Sequence, residues 1–401
     1  MKDIKKIIVF VLLLVPLILI IYARVRLPAV PAAAVFETDQ PTLVLHTPEA
    51  SQLPVSGGSD SVQPTPPVNT PEVSQAPAVE PGTFVISAIG DCTLASTENY
   101  ANSMYGYAAR MNGDYAYPFS NTVQYFENDD FTIANLECVL SDRSLSASYM
   151  SLFHFKSPTQ WANILIKGGV DFVTTANNHL MVDYGSSGAE ETYEALDSYG
   201  IPYGKEGEAK IITSDSGLVL GIYCDFNKFY PDKDKATDAV KQLKDDGAQY
   251  IICMFHWGNE MYYSPTNESQ ELAKACIDAG ANLVYGSHSH CLQPIEEYNG
   301  GIILYSMANW SFGGNTNPKD PDTAIVQITV SRTSDGSVSN EDITIIPCEI
   351  SSQPYVKGTY YNDYRPTPYE EGSEEYLRVM SKLDGSFKPD SEGVNYSGMW
   401  Q

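Results

Sequence analysis

From Thr83 onward, short apolar runs alternate with longer stretches in which apolar residues recur every three or four positions. Residues 84–90 and 131–136 read as buried strands. Residues 160–166 read as a helix stopped by Gly168-Gly169, and 171–176 as the strand after it. An amphipathic helix is predicted over 188–198 and ends in Tyr199-Gly-Ile-Pro202. Further strands are expected at 218–223, 250–255 and 282–285, separated by helices near 235–246 and 268–279. This alternation predicts α/β layering around a largely buried sheet. After His290 the pattern turns to strands at 294–298, 301–306, 323–330 and 342–350, with Asn299-Gly300 as a hairpin turn. The remainder holds one helix, 371–383, and tyrosine-rich loop.

The N-terminal part is of another kind. Lys2, Lys5 and Lys6 precede an uncharged apolar run, 7–23, which Arg24 and Arg26 follow. The run is at the short end of a spanning helix and longer than a usual signal-peptide core. Positive charge on its N-terminal side favours an inside N-terminus. Residues 1–26 therefore read as a membrane signal-anchor. Ala32 to Ala34 offers small residues for cleavage, but far beyond the apolar core. Residues 27–82 contain no Lys or Arg, are rich in Pro, Ser, Thr and Val, and keep no apolar period, as expected of a disordered linker. The scheme is completed by a folded domain, 83–385, and a C-terminal tail, 386–401. It implies a single-pass cell-membrane protein with an extracytoplasmic C-terminal domain.

Composition narrows the chemistry. In 401 residues the formal net charge is −26, which excludes the basic footprint that nucleic-acid binding needs. An anionic ligand would need a local positive centre, such as a metal ion. The seven cysteines are odd in number and not closely paired, so they read as mostly free thiols. Cys92, Cys138 and Cys291 each directly follow a candidate site residue. They read as small apolar side chains packing away from the site rather than as soft ligands.

Four of the six histidines stand just past predicted strands, in Asn177-Asn-His179, His256-Trp-Gly258 and Gly286-Ser-His-Ser-His290. Two acids, Asp91 and Glu137, occupy the same kind of position. Open α/β sheets gather ligands at the carboxyl ends of their strands. Asp91, Glu137, Asn178, His256, His288 and His290 are therefore candidate metal ligands. Imidazoles with carboxylates suit Mn, Zn or Fe. Six donors exceed the needs of one tetrahedral ion, so two divalent ions sharing a carboxylate are expected. His179, beside Asn178 but pointing elsewhere, is the candidate catalytic acid. His154 reads as structural, and His46 lies in the linker.

These segments resemble the CapA family, the capsule or poly-γ-glutamate biosynthesis proteins of the calcineurin-like metallophosphoesterase superfamily. The resemblance runs through Gly90-Asp91, Ala134-Asn-Leu-Glu137, Phe155-Lys-Ser-Pro158, Thr175-Ala-Asn-Asn-His179 and Asp183-Tyr-Gly185. It continues through His256-Trp-Gly-Asn-Glu260, Asp278-Ala-Gly280, Gly286 to His290, Tyr305-Ser-Met-Ala-Asn309 and Tyr364-Arg-Pro366. It implies a four-layer α/β/β/α sandwich with a dinuclear centre. Asp91 and His290 would serve one ion and Asn178, His256 and His288 the other. Glu137 would bridge, and His179 would face the substrate. Thr93 stands where the superfamily carries a further histidine ligand, Leu180 where an acid is usual, Ser96 where a basic residue is common, and Ala308 where glycine is usual. The implied function is that of a membrane-anchored, metal-dependent, phosphoesterase-like hydrolase in the synthesis or release of an anionic, capsule-type polymer. It would work beside a polymer-synthase membrane complex. The alternative is a non-catalytic accessory subunit with a structural or vestigial metal site.

Overall fold

The computed structural model describes residues 80–226, 232–314, 316–356, 359 and 361–389. Its strands are β1 (Gly82–Cys92), β2 (Phe131–Leu136), β3 (Val139–Leu140), β4 (Lys156–Ser157), β5 (Phe172–Thr174), β6 (Tyr203–Gly204), β7 (Glu208–Thr213) and β8 (Val219–Phe226). Then follow β9 (Tyr250–His256), β10 (Leu283–Ser287), β11 (Ile295–Tyr298), β12 (Gly301–Leu304), β13 (Asp322–Arg332), β14 (Val338–Glu349) and β15 (Thr367–Pro368). One sheet has the order β15-β14-β13-β1-β2-β5-β6 and the other β11-β12-β10-β9-β8-β7. Both are mixed. β1, β2, β5 and β6 run parallel in the first, as do β8, β9, β10 and β12 in the second. Antiparallel strands flank each parallel block.

Strand periodicity decides what fills the space between the sheets. On β2, Phe131 and Ile133 share a buried cluster with Tyr250, Ile252 and Met254 of β9 and with Leu283 and Tyr285 of β10. The alternate residues, Ala134 and Leu136 on β2, face a second cluster under helix α2 (Gly185–Tyr199). On β9 the alternates Ile251, Cys253 and Phe255 pack with helices α3 (Lys233–Asp245) and α4 (Asn267–Ala279). The layers therefore run helix, sheet, sheet, helix. A period of two along a strand then carries Asn135 and Glu137, and likewise His256, to the mouth of the inter-sheet gap. On β1 a register shift between Ala88 and Asp91 sets Asp91 opposite Asn135. Gly90 lets the Ala308 backbone approach β1 closely: a Cβ there would lie 2.3 Å from the carbonyl oxygen of Ala308.

Asn299 and Gly300 both take positive φ, 48° and 81°, in the tight turn between β11 and β12. The helix expected over 160–166 begins as a 3-10 turn, Thr159–Ala162, before the α-helical Asn163–Lys167. The strand expected at 171–176 stops at Thr174, because Asn177 is already capping a short helix, α1 (Asn178–Val182). The edge strand β7 was not foreseen. Its six residues alternate half-buried and exposed and include Glu208 and Lys210, so no apolar run announces it.

The structure corrects the membrane part of the sequence reading. Among the described residues no helix is long and apolar enough to cross a membrane. The longest described helix, α2, has 15 residues, whereas a spanning helix takes roughly 20 apolar ones. The fold is an α/β domain with mixed sheets and no transmembrane helix among its described residues. The apolar run 7–23 and the linker up to residue 79 lie outside those residues. No described helix supports the membrane partner, the membrane-bound synthase complex, the single-pass localisation or the membrane-anchored form of the function that were read from that run.

Candidate metal centre

Asp91, at the end of β1, is fully buried and held from both sides. Its backbone N–H donates to the Ala308 carbonyl at 2.8 Å, and its own carbonyl accepts from the Trp310 N–H at 2.9 Å. Its Oδ1 accepts from Asn135 Nδ2 at 2.8 Å, and its Oδ2 lies 3.5 Å from His290 Nδ1. Glu137, two residues beyond Asn135, is also fully buried. Neither of its carboxylate oxygens has a hydrogen-bond partner among the described residues. Its Oε1 lies 3.4 Å from His256 Nε2 and 3.8 Å from His179 Nε2.

The second sheet supplies the imidazoles. His256, the last residue of β9, has Nδ1 2.8 Å from Ser287 Oγ, the residue opposite it on β10. Its Nε2 is 2.7 Å from Asn178 Oδ1. The His288 ring lies with its centroid 4.6 Å from that of His256. His288 and His290 both take positive φ, 93° and 56°, which turns two side chains of one short loop toward the gap. Non-glycine residues seldom hold such angles, and they concentrate at functional sites. Gly286 allows the close approach, since a Cβ there would sit 2.1 Å from the Tyr305 carbonyl oxygen.

Asn177 brings in the third side. Its Oδ1 accepts from the His179 and Leu180 N–H groups, capping α1, while its Nδ2 donates to Asn135 Oδ1 and to the Leu136 carbonyl. This fixes Asn178 and His179 on the first turn. His179 Nδ1 is 2.9 Å from Asp183 Oδ2, one helical turn on, and the edge of Phe155 packs on its ring.

Electrostatics follow from this burial. Loss of solvent pushes the Glu137 carboxyl up to about 8, reinforced by the Asp91 charge. Burial acts on Asp91 in the same sense, but hydrogen bonding and charge from His290 outweigh it and hold that carboxyl below the ordinary aspartate value. Burial alone would lower His290; Glu137 and Asp91 instead push it up to about 9.

A buried carboxylate with no donor on either oxygen is costly unless a cation shares its pocket. Two donor groups surround that position: Glu137 with His256 and His288, and Asp91 with Glu137 and His290. Within each, the donor atoms lie inside 4.8 Å of one another, and Glu137 belongs to both. The donor set therefore fits a dinuclear divalent-metal site. All the sequence-proposed ligands come together here, with His179 beside them. His154 does not; its Nε2 bonds the Ser148 carbonyl. All seven cysteines are buried free thiols. Thr93 is spent on structure, donating to the Ala95 carbonyl and accepting from the Gly313 N–H.

Several supporting residues had no role assigned from sequence. Asn135 had a signal, being the amide in an otherwise apolar strand end, and Asp183 stands at i+4 from His179. Glu260, whose Oε1 is 3.9 Å from His288 Nε2, and Asn309 lie in loops that carry no period.

The family model described as bacterial capsule synthesis protein PGA_cap matches residues 85–211 and 205–313. Capsule biosynthesis protein CapA of Bacillus anthracis is 28% identical over 237 residues, covering 53% of this chain and 57% of that one. PGA biosynthesis protein CapA of Bacillus subtilis (strain 168) is 29% identical over 224 residues, covering 50% and 58%. The match thus spans little more than half the length of these relatives. With more than half of its own length matched by the family model, and with a buried two-cluster donor set consistent with the calcineurin-like metallophosphoesterase superfamily, the chain belongs to the bacterial capsule synthesis (CapA, PGA_cap) family.

Proposed function

We propose that this chain is a metal-dependent hydrolase that cleaves a phosphoester or amide bond in an anionic polymer or its precursor. The observation that carries the reading is Glu137, a fully buried carboxylate without a hydrogen bond among the described residues, set where two donor clusters meet. In this reading Asp91 and His290 hold one ion, Asn178, His256 and His288 the other, and Glu137 serves both. Mn, Zn or Fe suits that donor set. Two divalent ions would supply Lewis-acid polarisation of the scissile phosphoryl or carbonyl group.

The rest of the chemistry falls to the chain. Asp183 faces His179 Nδ1, so that nitrogen carries a proton and Nε2 is aimed at the side where Glu137 lies. Asp183 stabilises the positive charge of doubly protonated His179, which becomes neutral on giving its Nε2 proton to the leaving group. The cap from Asn177 and the Phe155 edge keep the ring in that orientation. Anionic substrates suit the charge balance as well. At a formal net charge of −26 the chain repels polyanions generally, so a bound cation pair is the local attraction that would bring one to the site. The capsule- and PGA-biosynthesis names of the two relatives point the same way.

His179→Ala should lower turnover by 10²- to 10⁴-fold, roughly the range for removing a general acid, with metal content unchanged. Elemental analysis beside assays on a panel of phosphoesters and γ-glutamyl amides reads both quantities. Fully metal-loaded wild-type protein that is inert toward the whole panel would sink the proposal.

A further inference from the structure

We infer that Asn309 is the positioning residue for the ion assigned to Asp91 and His290, an inference that rests on the dinuclear reading above. Two observations independent of the ligand list lead to it. Asn309 Oδ1 lies 2.9 Å from His290 Nδ1, while its Nδ2 donates to the His290 carbonyl at 3.5 Å. The amide thus grips the histidine at both ring and backbone. The same segment also grips Asp91: Asn309 forms a parallel bridge with it, flanked by the Ala308 and Trp310 backbone hydrogen bonds. One short loop therefore sets the positions of both side chains that serve this ion alone.

The chemistry of imidazole makes the first contact consequential. A histidine offers one lone pair to a metal only when the proton sits on its other nitrogen, and an oxygen facing that nitrogen is what fixes the tautomer. Asn309 Oδ1 and Asp91 Oδ2 both face Nδ1, so Nδ1 carries the proton and Nε2 is the nitrogen left to bind. The amide orientation is determined by its second hydrogen bond, because flipping it would set the amide oxygen against the His290 carbonyl oxygen. Phe312, with its ring 5.0 Å from that of His290, supports the ring from another side.

The dependence should be one-sided. Thr93, in the position where the resemblance leads one to expect a further histidine, is engaged with Ala95 and Gly313 and adds no imidazole. The ion of Asp91 and His290 thus has fewer protein donors to compensate for a misplaced one. The other ion's histidine His256 is oriented by Ser287 and Asn135 instead.

The test is equilibrium dialysis of the full chain against Mn²⁺, with bound metal counted by elemental analysis. Wild type should bind two ions. Asn309→Leu should leave one affinity unchanged and weaken the other by 10- to 100-fold, roughly the range for losing an outer partner of a metal-bound histidine. Asn309→Asp, which keeps an acceptor at Nδ1, should retain both sites. If the leucine variant does not fold, Asn309→Ser carries the same expectation, since its hydroxyl does not reach the ring. Two unchanged affinities in Asn309→Leu, or equal weakening of both, would overturn the inference. Selective weakening in a protein without hydrolase activity would uphold it while sinking the proposed function. A wild type that binds no second ion would overturn both.

Discussion

Glu137 is the residue on which most of the site's energetics turn, and its burial makes a sign-definite expectation about pH. Its folded value of about 8 lies above the ordinary 4.5, so between those values the folded chain holds a proton that the unfolded chain has lost. Stability of the metal-free protein must therefore fall as pH rises across that window. His290 acts in the same direction. Its value is raised from 6.5 to about 9, so its contribution is complete below 6.5 and is lost as pH rises through 9. Asp91, held below its ordinary 3.8, matters only at the acid end, where its contribution is lost as pH falls through its folded value. With chelator present, melting temperature should decline from pH 5 to pH 9, and Glu137→Gln should flatten most of that slope. Saturating Mn²⁺ or Zn²⁺ should raise the melting temperature most at the alkaline end, because metal ions replace the protons. A chelated wild type equally stable at pH 5 and pH 9 would contradict this account. Sequence alone placed Glu137 past a strand end. It could not show that both carboxylate oxygens would be buried without hydrogen bonds, since that depends on packing between two sheets.

At the scale of elements, the site is reached by short connections whose geometry depends on a few polar residues. Asn177 satisfies four hydrogen-bonding positions at once: two N–H groups of α1 on its oxygen, and Asn135 and the Leu136 carbonyl on its nitrogen. Asn177→Asp keeps the cap but turns a carboxylate oxygen toward two other oxygens in a buried place. It should destabilise the metal-free protein by about 3 kcal/mol or more, and by more than Asn177→Ser, which keeps a capping oxygen and adds no charge. Urea denaturation in chelator measures the difference, and an aspartate variant as stable as wild type would show that the amide donors are dispensable. The apolar runs made β1, β2, β8, β9 and β10 legible in sequence, and with them the strand ends that carry Asp91, Glu137, His256 and His288. The 3.6-residue period did the same for α2, α3 and α4. What stayed hidden were the devices without a period. These include the register shift before Asp91, the positive φ of His288 and His290, and the Ala308–Trp310 grip on Asp91. The register shift sets Asp91 against Asn135, and the grip joins Asp91 to a segment more than two hundred positions away in sequence, so neither leaves a local period.

At the scale of the whole molecule, the C-terminal helix α5 (Glu374–Leu383) lies beyond the matched family region yet shares a buried cluster with the residue that clamps Asp91. Val379 and Leu383 are buried with Leu292, Ala308 and Ala324, and Ala308 is the residue whose carbonyl holds the Asp91 N–H. The helix is docked there by a buried ionic network. Lys382 Nζ donates to both oxygens of Asp320 at 2.7 and 2.8 Å and to Asp322 Oδ2 at 2.7 Å, and Arg378 binds Asp322 through two nitrogens. Removing one partner of such a network costs more than replacing the network, because it strands a buried charge. Lys382→Met should therefore destabilise the protein by about 3–5 kcal/mol, and adding Asp320→Asn should recover a substantial part of that loss. The helix shares a buried cluster with the Asp91 clamp, so loosening it should also weaken one Mn²⁺ site in preference to the other, as Asn309→Leu does. Chemical denaturation of the single and double variants, read beside Mn²⁺ dialysis, separates the two effects. Full loss of stability with unchanged affinity at both metal sites in the folded fraction would show that α5 only supports the sheet. Selective weakening would show that the ion of Asp91 and His290 is held partly by a helix about ninety residues further along the chain than His290.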